Sequence, residues 1–132
     1  MNVKTVNFLT QLKNASLINK ESIKGELNSF LLKVLKVLYK DGIILSFKVA
    51  IKPKFFNNTS EVFVHVRYMN QKPIFNNLKI VSSSSYKKIV SLKNICKLVT
   101  KNKYFLFSTN KGLLSMTECK RYHVGGVLLF SC

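Results

Sequence analysis

The sequence predicts an α+β fold of two small lobes, with N-terminal helices packed on a sheet and a mainly β C-terminal lobe that includes short helices. The chain has 132 residues, a length that suits one compact unit or two small lobes. The two long helical patterns lie in the first 40 residues, whereas most later segments have strand patterns. Four serines at residues 82–85 indicate a break. We therefore expect lobes at residues 1–80 and 81–132.

The N-terminal lobe is predicted to begin with an amphipathic helix over residues 3–14. Apolar residues recur at spacings of three, which is typical of one helix face. This apolar set consists of Val3, Val6, Leu9 and Leu12. The other face is expected to carry Thr5, Asn7, Thr10, Gln11 and Lys13.

A second helix is predicted to start at Asn28 or Ser29, since either side chain can accept a hydrogen bond from a free backbone N–H group. Asp41-Gly42 should end it, because glycine readily adopts the left-handed conformation found at helix ends. The stripe that we expect to be buried consists of Phe30, Leu31, Val34, Leu35 and Leu38. The opposite side carries Lys33, Lys36 and Lys40.

Strands should complete the N-terminal lobe. Residues 43–51 have a β-rich composition, and residues 53–60 are predicted to form a turn-rich connection. Residues 61–68 alternate strictly between two faces. One face carries Val62, Val64, Val66 and Tyr68, and the other carries Phe63, His65 and Arg67. Residues 74–81 are a candidate further strand.

Short elements are predicted in the C-terminal lobe. Residues 91–99 favour a short helix with Leu92, Ile95, Cys96 and Val99 as its apolar members. Residues 104–107 favour a strand, and residues 117–122 favour one or two helical turns. Gly125-Gly126 precedes a final strand over residues 127–130.

The charge of the chain points to a polyanionic partner. Lys and Arg number 22 against 5 Asp and Glu, giving a formal net charge of +17. Because 47% of the residues are hydrophobic, the chain can bury a core and should fold despite this charge. Nucleic acid is the first partner this indicates, since phosphate neutralisation releases counterions. A basic adaptor that binds another RNA or an anionic membrane surface is the alternative.

Two segments are candidate RNA contacts. The first is the turn formed by Ser108, Thr109, Asn110, Lys111 and Gly112, whose short polar side chains could bond 2′-hydroxyls, base edges and phosphates. An ordinary β-turn is the alternative reading. The second is a basic run that has almost no acidic residue to balance it, although a merely solvated surface is the alternative. The run comprises Lys87, Lys88, Lys93, Lys97, Lys101 and Lys103.

Nothing in the sequence favours an enzyme, a cofactor or a resident metal. Cys119 and His123 have the spacing of one helical face, but no second pair of ligands accompanies them. The five carboxylates are scattered, and neither a P-loop nor a dinucleotide-type glycine loop occurs. The three cysteines, Cys96, Cys119 and Cys132, include no CxxC pair, so we expect free thiols in a reducing compartment.

Composition also bears on where the chain is made. It has 20 Lys but only 2 Arg, with many Asn, Ile and Phe residues, as AT-rich codons would give. The longest apolar candidate, residues 30–39, is far short of the ~20 residues of a membrane span and is interrupted by Lys33 and Lys36. The N-terminus does not have the pattern of a signal or transit peptide. We therefore expect a protein made inside an organelle.

Three blocks resemble the family of small-subunit ribosomal protein number eight. The last block runs from Ser108-Thr109-Asn110-Lys111-Gly112 to Val124-Gly125-Gly126 and resembles the family's Ser-Thr-Ser-x-Gly turn, short helix and Val-Gly-Gly. Residues 9–15 (Leu-Thr-Gln-Leu-Lys-Asn-Ala) resemble its Leu-Thr-Arg-Ile-Arg-Asn-Ala. Residues 37–44 resemble its Ile-Leu-Lys-Glu-Glu-Gly-Tyr-Ile. The blocks occur in family order and span nearly the whole chain.

The resemblance implies a structural, non-enzymatic constituent of the small ribosomal subunit that binds the central domain of its rRNA. It implies neighbouring small-subunit proteins as further partners, no membrane partner and no homo-oligomer. The divergence of the motifs favours the mitochondrion over the plastid. The implied RNA contacts are the 108–112 turn together with Thr10, Lys13, Asn14, Lys87, Lys88, Gly125 and Gly126.

This chain departs from the family pattern at several positions near those contacts. Asn110 replaces a serine, and Val127 stands where an acidic residue usually follows Gly-Gly. Ser84-Ser85 replaces Pro-Gly, and Tyr86-Lys87 replaces two arginines.

Overall fold

The computed structural model of the chain describes residues 1–51, 60–98 and 103–132. Helices combine with antiparallel sheets, and the C-terminal part is mostly β, so the predicted α+β class is confirmed. The chain divides into one unit of Asn2–Asn76 and another of Asn77–Cys132 with Met1. The sequence-based boundary lies four residues further along. Among the described residues, no helix has the length and apolar character needed to cross a bilayer.

The N-terminal unit contains two helices and a three-stranded antiparallel sheet. Its elements are α1 (Val3–Leu17), β1 (Ser22–Glu26), α2 (Ser29–Lys40), β2 (Ile44–Ala50), β3 (Glu61–Val66), β4 (Tyr68–Met69) and β5 (Lys72–Pro73). The sheet order is β1-β3-β2, so the last strand along the chain is the central one. Strands β4 and β5 form a separate small hairpin. A 3-10 helix, Ile74–Asn77, follows them.

Helix α2 forms as its sequence predicts. The Asn28 side-chain oxygen accepts a hydrogen bond of 2.6 Å from the Leu31 N–H, and Gly42 adopts φ +71° beyond the last turn. The buried residues are Leu31, Val34, Leu35 and Leu38, whereas Phe30 is half-buried. Lys33, Lys36 and Lys40 are exposed. The prediction of the buried stripe is therefore confirmed, except that Phe30 lies at its edge.

The predicted face of α1 was partly wrong. Val3 is 59% exposed, whereas Thr5, predicted on the polar face, is fully buried. Steps of three residues fall about 60° short of a full turn, so the set Val3 to Leu12 drifts around the helix. The buried stripe follows steps of three and four and consists of Thr5, Phe8, Leu9, Leu12 and Ser16. The Thr5 hydroxyl is satisfied inside, accepting from the Asn28 amide at 3.2 Å.

The predicted strands are observed in the three-stranded sheet of the N-terminal unit. The predictions for the residues that follow this sheet are partly wrong. Strand β3 buries Val62, Val64 and Val66 on one face as expected, but Tyr68 belongs to the separate strand β4. Residues 74–81, expected as one strand, form the 3-10 helix and the short strand β6 (Lys79–Ile80). Most of the connection over residues 53–60 lies outside the described residues. Strand β1 was not predicted, because its sequence is largely polar.

The C-terminal unit is organised around one central strand. Its remaining elements are β7 (Lys88–Val90), α3 (Leu92–Lys97), β8 (Phe105–Thr109), β9 (Gly112–Ser115), α4 (Met116–Tyr122) and β10 (Gly126–Ser131). Strand β10 pairs with β8 on one edge and with β7 and β6 on the other, always antiparallel. Strand β9 pairs with the free edge of β8.

The core of the C-terminal unit lies between this sheet and the two short helices. It consists of Val90, Ile95, Phe107, Leu114, Met116, Cys119 and Leu128. Cys96, predicted on the apolar side of α3, is exposed, because only Ile95 of that helix reaches the core. Helix α3 ends at Lys97, and the predicted end at Val99 lies outside the described residues.

Candidate nucleic-acid interface

The 108–112 turn is the tip of the β8–β9 hairpin. Thr109 pairs with Gly112 and Ser108 pairs with Leu113, so Asn110 and Lys111 form the two central positions. Neither central residue has a positive φ, whereas Gly112 adopts φ +104°. This is the pattern of a type I turn followed by a glycine bulge. An L-residue at position 112 would be strained there even though the space around it is open.

Thr109 stabilises the turn from within. Its hydroxyl donates a hydrogen bond of 2.9 Å to the Gly112 carbonyl oxygen and accepts one of 3.2 Å from the Lys111 N–H. The hydroxyl proton is therefore already used, and only a lone pair is free for an external donor. Thr109 is better described as the residue that fixes the turn than as a principal ligand.

Ser108 and Asn110 have unused hydrogen-bonding groups. Ser108 is half-buried and Asn110 is exposed, and neither side chain bonds to another described residue. The serine hydroxyl and the asparagine amide can each both donate and accept hydrogen bonds. Held on a fixed turn, they lose little conformational entropy when they bind. These two side chains are the open polar groups of the hairpin.

Gly125 and Gly126 allow close backbone packing beside the hairpin. A Cβ on Gly126 would overlap the Ser108 carbonyl oxygen and come within 2.8 Å of Thr109 Cγ2. A Cβ on Gly125 would meet the Val90 carbonyl oxygen at 2.9 Å and the Leu92 nitrogen at 3.1 Å. The two glycines therefore allow β10 to lie directly against the base of the turn and against the end of β7.

The serine-rich segment belongs to the C-terminal unit and helps to hold β7. Ser82 is buried, its hydroxyl donates to the Leu128 carbonyl oxygen, and it accepts a 3.1 Å hydrogen bond from the Lys88 N–H. The Lys88 backbone is thereby fixed against β10, while the side chains of Lys87 and Lys88 are exposed. Residues 82–85 therefore lie inside this unit.

The C-terminal unit carries a large uncompensated positive charge. Residues 77–132 contain ten Lys and Arg residues and one acidic residue, Glu118. That carboxylate accepts a 3.3 Å hydrogen bond from the Ser115 N–H in the capping box of α4. Two ion pairs among the described residues, Lys4–Glu26 and Lys24–Glu61, lie in the N-terminal unit. The exposed lysines of the predicted basic run are Lys87, Lys88, Lys93, Lys97 and Lys103, while Lys101 lies outside the described residues.

The remaining predicted contacts, Thr10, Lys13 and Asn14, lie on α1 in the N-terminal unit. Their positions, three and four residues apart, place them on one side of the helix. Thr10 and Asn14 are exposed and Lys13 is half-buried. The Thr10 hydroxyl donates to the Val6 carbonyl oxygen at 2.9 Å. These three form a polar patch of the N-terminal unit.

The pair Cys119 and His123 does not form a reactive site. Cys119 is fully buried in the core, whereas His123 is exposed in the left-handed conformation that ends α4. Burial and, secondarily, the Glu118 carboxylate raise the pKa of the Cys119 thiol to about 11. Burial raises the pKa of the Cys132 thiol to about 12. Both thiols therefore stay protonated at neutral pH. All three cysteines are free, and the described residues contain no metal-binding cluster of His, Cys, Asp and Glu.

Two features of the site were missed in the sequence. The first is the capping box of α4, which the Ser115-x-x-Glu118 spacing in the sequence is sufficient to predict. The contact of Lys111 with Tyr122, at 5.5 Å from the ammonium to the ring centroid, leaves no local sequence signal. It depends on how the hairpin folds back towards the end of α4.

A two-unit α+β chain with a rigid polar hairpin on a basic unit has the character of a structural protein with a binding surface. Comparison with known proteins agrees. The family model of ribosomal protein S8 matches residues 4–132, and the chain belongs to this family. It is therefore a structural, non-enzymatic component of the small ribosomal subunit.

Individual relatives cover almost the full chain. The small ribosomal subunit protein uS8 of Stenotrophomonas maltophilia (strain K279a) is 25% identical over 123 residues, which is 93% of this chain and 91% of the relative. The uS8c protein of Oltmannsiellopsis viridis is 28% identical over 127 residues, covering 95% and 93%. The uS8 protein of Wolbachia pipientis is 28% identical over 126 residues, covering 93% and 91%.

Proposed function

We propose that this chain binds the central domain of small-subunit rRNA through its C-terminal unit and helps to assemble and stabilise that domain. The observation that carries the proposal is the hairpin tip, where Ser108 and Asn110 keep open polar groups on a turn fixed by Thr109. Membership of the ribosomal protein S8 family supports the same assignment.

The chemistry of A-form RNA suits this surface. Its major groove is deep and narrow, so proteins recognise its shape, its 2′-hydroxyls and its distorted or unpaired bases. Short side chains on a rigid turn can enter the shallow groove and bond 2′-hydroxyls and base edges. Lys111 and the exposed lysines of the basic run would neutralise phosphates around this contact, which adds affinity with little sequence preference.

The glycines and α1 take supporting roles in this proposal. Gly125 and Gly126 bring β10 up to the turn, so they shape the surface that meets RNA. Thr10, Lys13 and Asn14 are proposed as a second rRNA contact made by the N-terminal unit. Neighbouring small-subunit proteins would complete the surroundings, with one copy of the chain in each subunit.

We further propose that the ribosome is organellar, with the mitochondrion favoured and the plastid as the alternative. The composition, with 20 Lys against 2 Arg as AT-rich codons would give, supports an organelle-encoded chain. The relatives include bacterial uS8 proteins and a chloroplast uS8c, which is the range expected around an organellar member.

Single substitutions in the hairpin test the proposal. Ser108→Ala and Asn110→Ala are each expected to weaken binding to small-subunit rRNA transcribed from the same genome by about 1–1.5 kcal/mol, roughly tenfold. Neither should change Tm, because neither side chain bonds to another described residue. Thr109→Ala should lower both affinity and Tm, since it removes the bonds that fix the turn. Kd from filter binding and Tm from circular dichroism give the two readouts.

Ser46→Ala is the matched control, because Ser46 is a half-buried serine of β2 whose side chain bonds to no described residue. It should leave Kd unchanged. Wild-type affinity in both Ser108→Ala and Asn110→Ala would show that the hairpin is not the rRNA contact.

A further inference from the structure

A cation–π pair joins the hairpin to the end of α4. The Lys111 Nζ lies 5.5 Å from the centroid of the Tyr122 ring, and Tyr122 remains 46% exposed. Both ends of α4 are fixed, by the capping box at Ser115 and by a backbone bond of 3.1 Å from the Val124 N–H to the Cys119 carbonyl oxygen. The ring is therefore held beside the turn on a rigid element.

A second cation–π pair shows what is unusual about the first. Lys24 Nζ lies 5.7 Å from the centroid of Phe63 in the N-terminal unit, but it also forms a 3.0 Å ion pair with Glu61. The charge of Lys24 is thus compensated within the protein. Among the described residues, Lys111 has no carboxylate partner. Its ammonium remains available to an external anion.

We propose that Tyr122 and Lys111 together bind one unpaired nucleotide of the rRNA, with the base stacked on the exposed part of the tyrosine ring and a phosphate on the lysine. This inference rests on the proposed function and adds to it a stacking subsite outside the polar turn. Aromatic rings accept any base, because every base has a π face. An ammonium within 5.5 Å of that ring is close enough for one nucleotide to reach both groups.

The neighbouring residues support an anionic ligand at this place. Arg121 precedes Tyr122 and is exposed, and Lys120 lies one residue earlier. The carboxylate of this helix, Glu118, is directed to the capping box at the opposite end. A nucleotide on the Tyr122 ring would therefore meet positive charge from the turn and from the last turn of α4.

Zero-length crosslinking with matched substitutions tests the subsite. The protein, bound to small-subunit rRNA transcribed from the same genome, is irradiated with ultraviolet light and digested with ribonuclease and trypsin. Trypsin cleaves after Arg121, so Tyr122 becomes the first residue of its peptide, and we expect a nucleotide adduct on Tyr122. Tyr122→Leu should abolish the adduct and weaken binding about five- to a hundredfold. Tyr122→Phe should retain affinity within about twofold, because it retains the ring.

The controls separate this subsite from the proposed function. Tyr39→Leu changes a tyrosine of similar exposure, 55%, in the N-terminal unit and should leave affinity unchanged. If Tyr122→Leu binds like the wild type while Ser108→Ala and Asn110→Ala weaken binding, the subsite is refuted and the hairpin contact stands. If the wild-type protein itself does not bind the rRNA, both proposals fail.

Discussion

Gly126→Ala is expected to lower the free energy of unfolding by about 3 kcal/mol, the upper end of the range for overpacked sites. The added Cβ would overlap the Ser108 carbonyl oxygen and lie 2.8 Å from Thr109 Cγ2. A backbone carbonyl in a strand cannot move aside as a flexible side chain can. Strand β10 would therefore have to shift away from β8, and because β10 is the central strand, the whole C-terminal sheet would be affected.

Urea unfolding followed by circular dichroism measures this effect. Ser84→Ala is a suitable control, because Ser84 is exposed and makes no side-chain hydrogen bond to a described residue. Affinity for small-subunit rRNA should fall together with stability in the Gly126 variant, since the same shift displaces the base of the hairpin. A loss of stability below about 0.5 kcal/mol, the size of an ordinary surface change, would show that β10 adapts without cost.

The second large effect expected is a steep loss of rRNA affinity as salt rises. If about six lysines contact phosphates, log K should fall against log salt with a slope near −5, about a thousandfold between ~50 and ~200 mM KCl. The ten basic residues of the C-terminal unit against one carboxylate make such a number of contacts available. Filter binding across a KCl series gives the slope directly.

Paired lysine substitutions show which lysines neutralise rRNA phosphates. Lys87→Gln with Lys88→Gln should reduce the magnitude of the slope by about two units, one unit for each phosphate that is no longer neutralised. Lys33→Gln with Lys36→Gln, on the exposed side of α2, is the matched control and should leave the slope unchanged. A salt-independent affinity, or equal effects of the two pairs, would contradict the assignment of phosphate binding to the C-terminal unit.

Local signals predicted the parts of the fold that local forces determine. Helix α2 has a capping side chain at Asn28, a stripe with steps of three and four residues, and a terminal Gly42, and each works within a turn or two of the helix. In helix α1 the local pattern does not determine the buried face. The spacing of three from Val3 predicts a buried face that includes Val3. The buried face is instead the one that contains Phe8 and Leu9, and Val3 is exposed.

Pairing between distant segments explains what the sequence did not predict. Strand β1 is a polar stretch that becomes a strand because it pairs with β3, from Ser22 opposite His65 to Glu26 opposite Glu61. Strand β9 likewise forms on the edge of β8. Residues 74–81 have the apolar content of a strand, but Ile74–Asn77 form a 3-10 helix, and the register with β10 pairs Ile80 with Phe130 and Lys79 with Ser131.

The sequence predicted the turn of the candidate site, but it did not predict what each residue of the site does within the fold. The turn at residues 108–112 exists, and Ser108 and Asn110 keep open polar groups. Thr109, however, uses its hydroxyl to bond Gly112, and Gly126 serves close packing against Ser108. These roles depend on which backbone atoms come into contact, and a motif does not encode those distances. The Lys111–Tyr122 contact could not be predicted for the same reason.

Photo-crosslinking from the hairpin tip tests the central claim most directly. Asn110 is exposed and its side chain bonds to no described residue, so it can be replaced by p-benzoylphenylalanine with little effect on folding. The labelled protein is assembled into small subunits and irradiated, with a label at Leu45, an exposed residue of the N-terminal unit, as the comparison. Position 110 should crosslink to the central domain of the rRNA, at one cluster of nucleotides. Crosslinks from position 110 to proteins alone, or none to RNA, would contradict the account.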